Sequence, residues 1–100
     1  MSSDEIFEAL GHPDRRHILE LLQAAGELSA GELAEHFSFS KPTLSHHLKA
    51  LVAADLLDRE RRGQFVYYRI NMSVAEELVQ AVLTLLGKQR PKPRRARRAT

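Results

Sequence analysis

Two helix starts lie eleven residues apart in this chain, at Ser29, with Glu32 three positions on, and at Ser40, directly ahead of Lys41-Pro42. Either serine suits a helix N-cap, because a hydroxyl there accepts a backbone N–H that the first turn leaves unpaired. Glu32 completes a capping box at the first start, and proline is tolerated in the first turn of the second. The interval holds barely two turns, with Leu33, Ala34 and Phe37 inward, before the link Ser38-Phe39-Ser40. The following segment repeats Leu44, Leu48, Leu51 and Val52 along one side. A short helix, a tight link and a second helix with a polar N-terminal half form a helix-turn-helix, which lays its second helix in a DNA major groove.

Helical spacing then separates the polar positions of that second helix. Lys41, Pro42, Ser45, His46 and Lys49 lie away from the leucine stripe, whereas His47 sits nearer the buried edge. Ser45 and His46 are expected to reach base edges, and the helix start at Ser40 and Lys41, helped by Thr43, to hold a phosphate. His47 is expected to be a structural neighbour, partly buried beneath the helix. Adjacent histidines also suggest metal binding or proton transfer. Neighbours on a helix point about 100° apart and do not converge on one ion. His12 and His17 diverge too, and His17 is expected to meet Asp14 one turn earlier. Without cysteine there is no disulfide, thiolate site or thiol nucleophile. Ser38-Phe39-Ser40-Lys41 matches the S-x-x-K of serine acyl enzymes literally, but its companion motifs are missing and a helix cap accounts for it. Neither an enzyme, a metal site nor a cofactor is expected.

Around this motif the chain reads as one small domain. Ile6, Phe7 and Leu10 share a face of a first helix that ends at Gly11. Pro13 and Asp14 open a second, buried through Ile18, Leu19, Leu21 and Leu22 and stopped by Gly26. Leu57 to Arg61 and Phe65 to Ile70 alternate as strands of a β-hairpin around Arg62-Gly63-Gln64. Arg61, Arg62 and Gln64 at its tip suit contact with phosphates or a minor groove; the plainer reading is a solvated turn whose charges protect a sheet edge. Ser73 is expected to cap a last helix running to about Leu86. Its apolar residues, among them Val74, Leu78, Val82, Leu85 and Leu86, exceed what one small core can bury. A second copy of the chain, with Ile6, Phe7 and Leu10 as further contributors, is the expected cover.

The formal net charge of +2 conceals an asymmetry: residues 1–87 carry 8 basic against 13 acidic side chains, a net of −5, while residues 88–100 hold seven basic side chains and no acid. The expected organisation is therefore a folded unit over 1–87 and a disordered basic tail over 88–100, either a solvated terminus or a nonspecific arm for nucleic acid. No apolar run approaches the roughly 20 residues that cross a bilayer, and MSSDEIFEAL has no signal-type organisation, so no membrane insertion and a cytoplasmic location are expected.

ALGHPDRRHILELL, AGELAEHFSFSKPTLSHHLKAL and ERRGQFVYYRIN, in that order, resemble the ArsR-type winged helix-turn-helix repressors. GELAEHF, SKPTLSHHL and ERRGQFVYY are especially similar to the SdpR-type autorepressor branch. The resemblance covers roughly residues 5 to 86. It implies a mainly α fold of five helices with a two-stranded wing, and a homodimer built on the first and last helices. Such a dimer binds a pseudo-palindromic operator in double-stranded DNA and blocks transcription. It further implies recognition-helix contacts at Lys41, Pro42, Thr43, Ser45 and His46, and wing contacts at Arg61, Arg62 and Gln64. Metal-sensing members carry Cys-x-Cys where this chain has Ser29 and Gly31, and the last helix offers only Glu76 and Glu77 as ligands, so a transition-metal sensor is not expected. An unknown effector or a protein anti-repressor is left as the releasing partner. The alternative is a winged-helix protein-interaction module with no operator.

Overall fold

The computed structural model describes residues 3–87; the basic segment 88–100 lies outside the described residues. The order is α1 (Ser3–Leu10), α2 (Pro13–Ala25), β1 (Leu28–Ser29), α3 (Ala30–Ala34), α4 (Lys41–Ala53), β2 (Leu57–Arg62), β3 (Phe65–Ile70) and α5 (Met72–Leu85). This is the winged helix-turn-helix expected from the sequence, with one addition. The two-stranded wing of β2 and β3 is joined by β1, which pairs antiparallel with β3 (Leu28 with Tyr68, Ser29 with Tyr67), giving a three-stranded sheet in the order β1-β3-β2.

Local chemistry sets most of the boundaries. Pro13 opens α2, and Gly26, with φ 85°, ends it while its N–H returns to the Leu22 carbonyl. Ser29 and Glu32 form the reciprocal capping box of α3, the Ser29 Oγ accepting from Glu32 N at 3.1 Å and the Glu32 carboxylate accepting from Ser29 N at 2.8 Å. Ser40 caps α4 by accepting from Thr43 N at 3.3 Å. The cap of α5 is Asn71 and not Ser73, because Asn71 Oδ1 accepts from Val74 N at 3.3 Å. After α4 the chain reverses through Asp55, whose φ of 61° is left-handed, and Leu56 N returns to the Leu51 carbonyl at 3.0 Å.

Ile18, Leu22, Leu33 and Leu51, from α2, α3 and α4, are fully buried and form the centre of the core. Leu56 and Leu57 at the start of the wing and Tyr68 on β3 close it from the sheet side. The hairpin register pairs Leu57 with Ile70 and Arg62 with Phe65, so Gly63 and Gln64 alone make the turn. Gly63, at φ 63°, holds the first central position, where a type II′ turn calls for glycine. With Leu57, Val66, Tyr68 and Ile70 turned inward, alternation sends Arg59 and Arg61 to the same side and Arg62 to the other.

Candidate nucleic-acid interface

Helix α4 is a ridge. Leu44, His47, Leu48 and Leu51 are buried along its base, while Lys41, Pro42, Thr43, Ser45, His46 and Lys49 are all exposed. At its start the Ser40 and Thr43 hydroxyls lie 3.0 Å apart, Thr43 N is taken by the Ser40 cap, and Pro42 has no N–H. The backbone N–H of Lys41 is thus left without a partner among the described residues.

Ser45 and His46 occupy opposite shoulders of the ridge. On the wing side, Lys41, Leu44, Ser45 and Leu48 face α3 and Tyr68 across a cleft of about 290 Å³. A smaller cleft of about 180 Å³ continues past Lys49, Val52 and Arg59. On the other side, His46 lines a cleft of about 310 Å³ against α1, whose charged lining is Glu5, Glu8 and Arg15. The wing side of α4 thus offers a phosphate the cations Lys41, Lys49 and Arg59, whereas the α1 side mixes both signs of charge.

The three wing residues do not act together. Arg61 and Gln64 are exposed at the tip, Arg61 reaching the Gly63 carbonyl at 3.5 Å and no other polar partner among the described residues. Arg62 sits on the far face, where its guanidinium bonds Glu27 at 2.6 Å, reaches Glu60 at 3.5 Å and stacks 3.8 Å above the Tyr67 ring. Arg69 joins the same two carboxylates, at 3.6 Å and 3.8 Å. The hydrogen bond from Arg62 holds the Glu27 carboxyl below its usual range, and that carboxylate in turn holds the Arg62 guanidinium above its own. Arg62 thus ties the hairpin to the segment after α2 instead of projecting from it. Arg59, which the sequence pattern did not single out, points to the α4 side with no ion-pair partner among the described residues. The signal for it was present: two residues before Arg61 on a strand is the same face.

His47 anchors the ridge from below. Its Nδ1 accepts a 3.0 Å hydrogen bond from Nε of Arg15, a residue only 6% exposed, and its Nε2 lies 3.9 Å from Asp14. Accepting at Nδ1 places the proton of the neutral ring on Nε2, facing that carboxylate. Burial, then the nearby Arg15 charge, lowers the His47 pKa from its ordinary value. Asp14 therefore meets His47 and not His17, which packs edge-on against Phe37 at 5.0 Å.

The residues expected at a dimer contact divide in two. Ile6 and Val74, at 4% and 5% exposure, belong to the chain's own core, because α1 and α5 pack on the same centre. Leu10, Leu78 and Val82 are partly buried. Phe7, Leu85 and Leu86 are exposed, as is Val79, and Leu85 reaches 73%. Among the described residues no helix is long and apolar enough to cross a membrane.

Residues 10–60 match a helix-turn-helix domain model. The chain is 41% identical over 85 residues to the transcriptional repressor SdpR of Bacillus subtilis, spanning 85% of this chain and 93% of that one. It is 41% identical over 75 residues to the arsenical resistance operon repressor of Staphylococcus aureus, spanning 75% and 71%. Among solved structures, an ArsR-like transcriptional regulator from Rhodococcus sp. superposes with a TM-score of 0.73 at 28% identity, covering 85% of this chain and 78% of that one. With the ridge, the wing and both caps in place, the chain belongs to the ArsR family of winged helix-turn-helix transcriptional repressors.

Proposed function

We propose that the chain acts in the cytoplasm as a homodimeric repressor that binds a pseudo-palindromic operator, its own promoter among the targets, and is released by an effector or a protein anti-repressor. The observation that carries the DNA-contact assignment is the sidedness of α4: four leucine or histidine side chains buried along one side, and Lys41, Ser45, His46 and Lys49 exposed on the other. In this reading Ser45 and His46 contact base edges. Lys41, with its free N–H and the Ser40 and Thr43 hydroxyls, holds one phosphate at the helix start, where the dipole favours an anion. Lys49, Arg59 and Arg61 contact flanking phosphates. Arg62 sets the position of the wing.

The exposed apolar residues Phe7, Val79, Leu85 and Leu86 on α1 and α5 support a two-fold contact between protomers. Such a dimer would space its recognition helices about 34 Å apart, one turn of DNA. The test is selection of binding sites from random-sequence duplexes, followed by binding assays on the recovered site and on scrambled DNA. Ser45→Ala and His46→Ala are expected to lose about 1–3 kcal/mol on the selected site and little on the scrambled one. Equal losses on both would refute the readout assignment, and a monomer at micromolar concentration in sedimentation would refute the dimer.

A further inference from the structure

The two clefts on the wing side of α4 share Ser45, Leu48 and Tyr68 and so adjoin as a single groove. Its composition is not that of a phosphate seat alone. Ala30 and Ala34 of α3 with Leu44 and Leu48 of α4 make an apolar lining. Lys41, Lys49 and Arg59 stand along the rim, and none has an acidic partner among the described residues. Tyr68, only 8% exposed, lines both halves, and its hydroxyl has no hydrogen-bond partner among the described residues. A tyrosine hydroxyl both donates and accepts, so one that lines a groove without a protein partner can bond a polar group of a ligand there.

A phosphate would neutralise the cations and leave the apolar lining uncovered; a hydrocarbon would cover the lining and leave the cations and the hydroxyl unpaired. One molecule meets both demands if it has an apolar body and an anionic end. We propose that this groove binds a small amphipathic carboxylate, its body against Ala30 and Ala34 over the floor that Leu44 and Leu48 form, and its carboxylate accepting from the Tyr68 hydroxyl and the Lys41 ammonium. Occupancy excludes DNA, because Lys41 serves both ligands and Ser45 lines the occupied groove; this last step rests on the DNA-binding reading above. The larger cleft, about 290 Å³, lies near the lower end of ligand-pocket volumes, and an enclosed cavity of about 150 Å³ already accepts benzene. The ligand therefore has roughly ten non-hydrogen atoms, and in a half-open groove its dissociation constant falls between about 0.1 and 1 mM.

The test titrates 3-phenylpropanoate into the full chain without DNA, followed by NMR. Saturable shifts centred on Ala30, Ala34, Leu44 and Leu48 are expected. Tyr68→Phe should weaken binding about three- to tenfold, as should replacing the acid by neutral 3-phenylpropanol. Ala34→Leu, which fills the groove, should abolish binding while the spectrum stays folded. No saturation by about 10 mM, well above the expected range, overturns the site. Equal binding of acid and alcohol overturns the anion assignment. In a second arm the acid is added to the chain on a duplex recovered by selection, and the apparent Kd for DNA should rise in step with occupancy; an unchanged Kd overturns the exclusion. Because the first arm contains no DNA, failure to bind any duplex would count against the DNA-binding reading alone, and the titration would still decide whether the groove takes the acid.

Discussion

Cutting His47 back to alanine asks how firmly α4 is seated by a single buried polar contact. Arg15 is a buried residue and its Nε–H has the His47 ring as acceptor at 3.0 Å. Removing the ring leaves a charged donor buried without that acceptor, a loss of about 1–3 kcal/mol. The ring also packs against Phe39, with centroids 5.6 Å apart, so lost aromatic contact adds about 1 kcal/mol. A total of about 2–4 kcal/mol in a domain of this size lowers the unfolding midpoint by roughly 10–20 °C. Arg15→Met removes the partner charge, and the Arg15→Met, His47→Ala double variant removes both members of the pair, so no buried charged donor is left unmatched. It should be more stable than the two single losses add up to, with a coupling of about 1–2 kcal/mol. Urea denaturation at one protein concentration measures all four proteins. The same contact fixes the sign of a pH effect. The folded-state pKa of His47 lies below its unfolded value, so the unfolded chain takes up the proton first. The stability contributed by His47 is fully present above the unfolded value of about 6.5 and is lost as pH falls from there through the folded pKa. His47→Gln keeps an acceptor and does not titrate, so wild type should lose more stability than this variant between pH 7.5 and 5.5. Strictly additive single losses, or parallel pH profiles, would refute the account.

Other expectations follow from the same contacts. Ser40→Ala removes the cap of α4 and should cost about 0.5–2 kcal/mol in denaturation, with a matching fall in DNA affinity if the helix start holds a phosphate. Arg59→Ala and Arg61→Ala should each reduce the log–log salt slope of DNA binding by about one, whereas Arg62→Ala should leave that slope nearly unchanged while altering the Tyr67 and Glu27 signals in NMR. Val79→Glu with Leu85→Glu should shift the sedimentation profile to monomer and leave the helical circular dichroism of the protomer in place. Asp55→Ala forces a β-carbon without a polar partner into the left-handed region and should cost about 1 kcal/mol, while Asp55→Gly should not.

What was legible in the sequence is what local chemistry decides. Ser29 with Glu32, Ser40 before Lys41-Pro42, and Gly26 after an apolar stripe each announce a helix boundary through the backbone groups they satisfy, and each boundary is found there. The hairpin followed from alternation over Phe65 to Ile70. What could not be read depended on residues far apart in the chain. β1 is two residues long and exists only because β3 arrives beside it, so no periodicity marks it. Arg15 and His47 are 32 positions apart, and the nearer pairing of His17 with Asp14 looked sufficient until packing turned His17 toward Phe37. Asn71 and Ser73 are both good caps, and the register of β3 decided between them. The wing arginines were legible as a group but not by face, since the strand boundary decides whether Arg62 belongs to the turn or to β2.

Ser29 has two attachments at once: its backbone lies in the sheet opposite Tyr67, and its side chain caps the helix that precedes the ridge. The hairpin and the helix pair are thereby referenced to one another through a single residue, with no hinge between them. For engineering, this means that a hairpin transplanted from a relative will keep its aim only if the Leu28-Ser29 segment travels with it. A chimera joined between Ser29 and Ala30 should keep both parts folded yet point its wing along a different line across the DNA.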